Sequence, residues 1–279
     1  MKQINRVAYG IGTAWYKAKP GAINRDLVEA LKSAVRVGYR HLDNAEVYEN
    51  EEECGVALDE LGDAVGREDL WITTKLKPAA GKDVVGALRT SLGKLRLGYV
   101  DAYLIHTPID DFKGLVRLED LWAGMEECRR LGLARNIGVS NFRVQELRRI
   151  LAVAKAPVFC NQVELHPYNA QPDLLAFMAE HKIVGESYSP LVPITKKPDG
   201  PLADLLPKLA AKYGKTTGQV LLRWNTQKGN TVITTSSKVD RMKEQLDIFS
   251  FDLTDDDIAE IDRLGQQVHH RIYFAEHLD

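Results

Sequence analysis

Eight times along this chain a short β-rich run is followed by an amphipathic helical stretch. The runs are "RVAYGIG", "YRHLD", "LWITTK", "VDAYLIH", "ARNIGVS", "VFCNQVEL", "IVGESYSP" and "TVITTSS". Each is short and apolar enough to be a buried strand. Between them lie segments such as "NRDLVEALKSAVRVG" and "GKDVVGALRTSLGKLRLG", several ending in the glycine that helix C-termini favour. Strand and helix alternating in this way specify a parallel α/β domain. With 279 residues and no linker or low-complexity break, the expected fold is a (β/α)8 TIM barrel, one domain spanning 1–279. An open doubly wound sheet is the alternative that the pattern alone leaves standing.

Composition removes several kinds of function. A formal net charge of −2 gives no basic excess for holding a nucleic-acid backbone. No apolar run is long enough to span a bilayer, and the start "MKQINR" lacks the apolar segment of a signal peptide. A cytoplasmic protein with neither nucleic-acid nor membrane partner is expected. Cys54, Cys128 and Cys160 are far apart with no CxxC spacing, which suggests packed thiols, with neither disulfides nor a metal site.

In such a barrel, chemistry sits at the C-terminal ends of the strands. Those ends read Asp43, Lys75, His106, Ser140 with Asn141, Gln162 and Tyr188, and Tyr48 follows Asp43 in the link to the next helix. Each has a bland reading by itself, as a helix cap or a satisfied buried polar group. Together they have a chemical logic. A phenol is a poor acid at neutral pH. An ammonium beside it favours the phenolate, and a carboxylate holds that ammonium in place. Tyr48, Lys75 and Asp43 are the required types, and His106 can orient a carbonyl oxygen. Such a site protonates a developing alkoxide. The hydride must then come from elsewhere, as from a nicotinamide, with Tyr188 offering a flat face and Ser140, Asn141 and Gln162 hydrogen bonds to the carboxamide.

The order of segments resembles that of the aldo-keto reductase family over nearly the whole chain. "GYRHLDNAEVYENEEECGVAL", "LGYVDAYLIHTP", "ARNIGVSNF", "NQVELHPY", "SYSPL" and "VITTSSKVDRMKEQL" match its segments in sequence. The resemblance implies a catalytic tetrad of Asp43, Tyr48, Lys75 and His106, with Tyr48 as general acid and NADPH as hydride donor. It also implies cofactor contacts from Gly12 and Thr13, from Ser189 and Leu191 beside Tyr188, and from Thr235, Ser236, Ser237, Arg241, Glu244 and Gln245. No Rossmann fingerprint is needed, and "GIGTAW" has Trp15 where a third glycine would stand. Many members read Ile-Pro-Lys-Ser where this chain reads Ile233, Thr234, Thr235 and Ser236, so the lysine that meets the 2′-phosphate is replaced by Thr235. Three hydroxyls, Arg241 and Lys238 are expected to hold the phosphate instead, with NADPH preferred and NADH usable.

The "TTSSK" variant, the opening "GIGTAWYK" and the tail "RIYFAEHLD" resemble the fungal branch that holds α-keto amide and conjugated polyketone (ketopantoyl lactone) reductases. The implied substrate is a small carbonyl compound, an aldehyde or a ketone activated by a second carbonyl. Trp15, Lys77 and Thr107 are expected to line its pocket, with Tyr273 and Phe274 as apolar walls. Family members are often monomers, and a monomer is the simplest expectation. The segment before the first strand leaves little room for the β-hairpin that usually covers the barrel bottom. Rival readings are a Schiff-base aldolase built on Lys75, a metal enzyme using Glu164 and His166 of "VELH", and an NADPH-binding redox sensor with little turnover.

Overall fold

The computed structural model describes residues 6–77 and 83–278; the segment before the first strand lies largely outside them. In chain order the elements are β1 (Val7–Gly10), α1 (Arg25–Val37), β2 (His41–Asp43), α2 (Glu51–Leu61), β3 (Trp71–Leu76), α3 (Val84–Leu95), β4 (Val100–Ile105), α4 (Ile109–Phe112), α5 (Leu118–Arg130) and β5 (Ala134–Ser140). There follow α6 (Val144–Val153), β6 (Cys160–Glu164), α7 (Pro172–Glu180), β7 (Val184–Tyr188), α8 (Val192–Thr195), α9 (Leu205–Tyr213), α10 (Thr217–Gln227), β8 (Thr231–Thr234), α11 (Val239–Leu246), α12 (Asp255–Gly265) and α13 (Ala275–Leu278). The strands pair in sequence order, all parallel, and β8 closes on β1. Closure excludes the open sheet and settles the (β/α)8 expectation.

Strands buried on both faces explain the continuous apolar runs. Outward side chains such as Tyr103, Val139 and Val163 join helix residues such as Leu88, Trp122 and Leu147 in the main core. Inward side chains are far more polar. At the N-terminal end, Trp71 packs against Phe159 with ring centroids 5.3 Å apart, and its indole N–H donates to Thr73 Oγ1. That plug is apolar at its centre, with Ala102, Leu104 and Cys160 around it. Toward the C-terminal end the interior fills with Asp43, Lys75, Gln162 and Glu186, all buried. Cys54, Cys128 and Cys160 are buried free thiols.

Two details differ from the sequence reading. Residues 255–265 form α12, which the runs of apolar periodicity do not announce: its first turn is Asp255, Asp256 and Asp257, and Thr254 caps it by accepting from the Asp257 N–H. With α9 and α10 it encloses a second cluster around Leu206, Trp224 and Ile261. The eighth strand is also shorter, ending at Thr234, so Thr235, Ser236 and Ser237 belong to the loop before α11.

Candidate active site

Strand register fixes the site. Gly10 lies in line with Asp43, Ser140 with Gln162, Gln162 with Glu186 and Glu164 with Tyr188. Neighbours in register on parallel strands face the same side, so these side chains converge in the barrel. Lys75 Nζ donates to Asp43 Oδ2 at 2.7 Å, to the Asn44 carbonyl at 2.9 Å and to the Tyr48 hydroxyl at 3.3 Å. The His106 ring stands edge-on to the Tyr48 ring, centroids 5.5 Å apart. The structure thus brings Asp43, Tyr48, Lys75 and His106 into one cluster. Asp43 and Lys75 are sealed from solvent, whereas Tyr48 and His106 keep partial exposure.

Electrostatics assign states to the members. Burial alone would lower the Lys75 ammonium, but Asp43 and Tyr48 together raise it above its ordinary value. Burial pushes the Tyr48 phenol up, and Lys75, acting in the opposite direction, offsets only part of this. The sequence reading has Lys75 lowering the phenol; that pull is present and burial outweighs it. Tyr48 is therefore protonated at neutral pH, with the Lys75 ammonium beside it, a group that favours a phenolate. Burial, with Lys75 nearby, holds His106 well below the usual histidine range, so its ring is neutral.

Tyr48 is placed by backbone, not by a cap. It ends a short 3-10 turn, Glu46–Tyr48, and its ring lies so close to Gly12 that a Cβ there would stand 2.7 Å from Cζ. Only glycine permits that approach. Asn50 Nδ2 ties the facing loop by donating to the carbonyls of Ile11 and Trp15, each at 2.9 Å.

The residues expected around a nicotinamide are already joined. Tyr188 donates its hydroxyl to Asn141 Oδ1 at 2.8 Å; Asn141 Nδ2 donates to the His106 carbonyl and to Ser140 Oγ; Ser140 donates to the Gln162 carbonyl at 2.7 Å. Gln162 Nε2 spends its two N–H groups on Asp43 Oδ1 at 2.8 Å and Glu186 Oε2 at 2.9 Å. Its side-chain oxygen, Oε1, makes none of these bonds. Asn141 and Ser189 hold φ of 64° and 53°, a left-handed conformation that costs energy in residues with a Cβ and gathers at functional sites. Leu191, half-buried, opens α8.

At the β8 end, Trp15 Nε1 donates to Thr235 Oγ1 at 3.3 Å and Tyr9 donates to the Ser236 carbonyl at 2.7 Å. Trp15 is therefore set against the hydroxyl loop. Ser237, Lys238, Arg241 and Glu244 are exposed, and no side chain caps the start of α11. Gln245 is buried instead, donating to Thr234 Oγ1 and accepting from the Tyr39 hydroxyl. Thr13 is exposed on the β1 loop. Lys77 is exposed, its backbone N–H donating to Glu46 Oε2, and Thr107 Oγ1 accepts from the Ile109 N–H.

Two groups escaped the sequence reading, and a third has a different role from the one weighed there. The Asn44 carbonyl is a third partner of Lys75. Glu186, two residues before a strand end, belongs to the buried network. Glu164 accepts from the N–H groups of Ile272 and Tyr273 and from His166 Nε2, so "VELH" pins the C-terminal tail. Among the described residues no cluster of side chains could hold a metal ion, and Tyr273 stands edge-on to Tyr188 at 5.7 Å.

A barrel with this tetrad at its mouth defines a class, and comparison with known proteins agrees. The model of the Aldo/keto reductase family matches residues 8–266. The chain is 41% identical over 274 residues to an NAD/NADP-dependent indole-3-acetaldehyde reductase of Schizosaccharomyces pombe, covering 98% of this chain and 95% of that one. It is 38% identical over 269 residues to an NADPH-dependent alpha-keto amide reductase of Saccharomyces cerevisiae, covering 92% and 85%. The crystal structure of a Bombyx mori aldo-keto reductase in complex with NADP superposes with a TM-score of 0.83 at 35% identity, covering 94% of this chain and 89% of that one. The chain belongs to the aldo/keto reductase family and is an oxidoreductase.

Proposed function

We propose that this protein reduces an aldehyde or activated ketone to its alcohol with NADPH, Tyr48 giving the proton. The observation that carries the reading is the Lys75 ammonium, bonded at once to Asp43 and Tyr48. It steadies the negative charge that forms on Tyr48 as the proton leaves for the carbonyl oxygen. His106, neutral and edge-on to Tyr48, orients that oxygen. NADPH, when bound, supplies hydride to the carbonyl carbon.

The residues present fit the cofactor. The Gln162 side-chain oxygen, which makes none of the hydrogen bonds described above, suits a carboxamide N–H, and the partly exposed Tyr188 ring suits a flat heterocycle. Lys238 and Arg241, exposed and without an ion pair among the described residues, flank the uncapped start of α11, where backbone N–H groups favour phosphate. Thr235 in the place of a lysine leaves fewer charges for the 2′-phosphate, which favours use of NADH as well. The substrate class is an α-keto amide, α-diketone or ketolactone. Lys77 and Thr107 accompany that reading as groups for the second oxygen.

Among the described residues no helix is long and apolar enough to cross a membrane. Three buried free thiols suit the reducing cytoplasm. The exposed large apolar side chains, Tyr16, Leu115, Leu131, Val153, Val239 and Phe249, sit on separate elements, which suits a monomer.

The test is turnover with cofactor deuterated at the nicotinamide C4. Deuterium on the carbinol carbon of the product supports the proposal; cofactor binding with no transfer to any α-dicarbonyl or aldehyde would overturn it.

A further inference from the structure

Beneath the tetrad lies a second carboxyl that the reaction as described does not use. Glu186 is wholly buried inside the barrel. Its Oε2 accepts from Gln162 Nε2, and the other N–H of that same nitrogen goes to Asp43 Oδ1. One amide thus bridges two acids. Glu186 Oε1 has no N–H or O–H donor among the described residues, and the carboxyl's remaining partner is the weak Cys160 thiol, an arrangement that disfavours a carboxylate and suits a neutral acid. The charged and titratable groups acting on it are Asp43 from β2, Lys75 from β3 and Cys160 from β6; β8 contributes Thr231, in register with it. Burial, reinforced by Asp43 and partly offset by Gln162, Lys75 and the Cys160 thiol, pushes the acid up to about 7.

We propose that Glu186 is a positioning residue whose charge, relayed through Gln162, makes the site discriminate between the oxidised and reduced forms of the cofactor. The inference rests on the cofactor reading above. With Glu186 neutral, Asp43 and Lys75 cancel and the interior carries no net charge. With Glu186 ionised, the interior is negative. The oxidised nicotinamide is a cation and the reduced one is neutral, so an ionised Glu186 favours the oxidised form and a neutral Glu186 is indifferent. Glu186 points to the same face as Tyr188, two residues on, about 7 Å along the strand. By linkage, binding of oxidised cofactor must in turn expel a proton from Glu186. The same charge makes the Tyr48 phenol a weaker proton donor as pH rises.

The experiment measures the affinities of NADP+ and NADPH from about pH 6 to about pH 8, with proton release followed by titration calorimetry in two buffers. Both cofactors carry the same phosphates, so the difference between them isolates the nicotinamide. The NADP+ to NADPH affinity ratio should rise about tenfold across that range, the effect of one charge felt through roughly 10 Å of protein interior. Glu186→Gln should flatten the rise and abolish the extra proton release, and Glu186→Asp should restore part of it. An unchanged ratio and unchanged proton release in Glu186→Gln would overturn the proposal. Should that variant not fold, the carboxyl carbon of 13C-labelled Glu186 in the parent, titrated with and without NADP+, decides: a titration midpoint that NADP+ leaves in place contradicts it. Binding of neither cofactor would instead contradict the cofactor reading.

Discussion

At the scale of single residues, the site works by setting charge states against burial. Burial outweighs Lys75 at Tyr48, keeps His106 neutral and raises Glu186 to about 7 from 4.5. The last has a consequence for stability. An acid raised by folding binds its proton more tightly in the native state, so its stabilisation is complete below pH 4.5 and is lost as pH rises to about 7. Glu186→Gln cannot ionise. Relative to the parent it should gain stability over that window, by on the order of 3 kcal/mol, and stay level above it; urea midpoints at several pH values measure this. A constant difference at all pH values would mean that Glu186 does not titrate there. At Gly12 residue identity follows from contact, because the Tyr48 ring occupies the space of a Cβ.

At the scale of elements, α11 and the C-terminal tail make separable predictions. Arg241 in the first turn of α11 is the cation expected to distinguish NADPH from NADH. Arg241→Ala should raise KM for NADPH about tenfold and leave that for NADH nearly unchanged; equal effects on both would remove Arg241 from the 2′-phosphate. The tail is held by Glu164, which accepts the Ile272 and Tyr273 N–H groups. Glu164→Ala strands those groups and His166, and should cost roughly 3 kcal/mol while exposing residues after 268 to proteases. A variant as stable and protease-resistant as the parent would show that the tail is held otherwise. The eight strands and most helices were legible in sequence because buried parallel strands read as unbroken apolar runs and surface helices as striped ones. Helix α12 was not, because its first turn is three aspartates and its apolar contacts are made by the second cluster rather than the barrel. Asp43, Lys75, Ser140 and Tyr188 were legible as polar endings of apolar strands. Glu186 was not, since it sits within β7, where only register with Gln162 shows which way it faces. The Trp15 contact with Thr235 joins the first and last strands' loops and leaves no local trace.

At the scale of the whole molecule, the barrel divides its interior between stability and chemistry. Trp71, Phe159 and Cys160 fill the N-terminal end, and the ionisable network fills the C-terminal end. Trp71→Ala should therefore destabilise by roughly 3–5 kcal/mol, read by thermal or denaturant unfolding, and leave kcat within a few-fold of the parent. A large loss of kcat at full folding would mean that the two ends are coupled.

The central claim is that Tyr48 is the proton donor, and Tyr48→Phe tests it most directly when NADPH affinity and turnover of an α-dicarbonyl are measured on the same preparation. NADPH affinity should stay close to that of the parent, with turnover reduced by about a thousandfold or more. Turnover within a few-fold of the parent would contradict it.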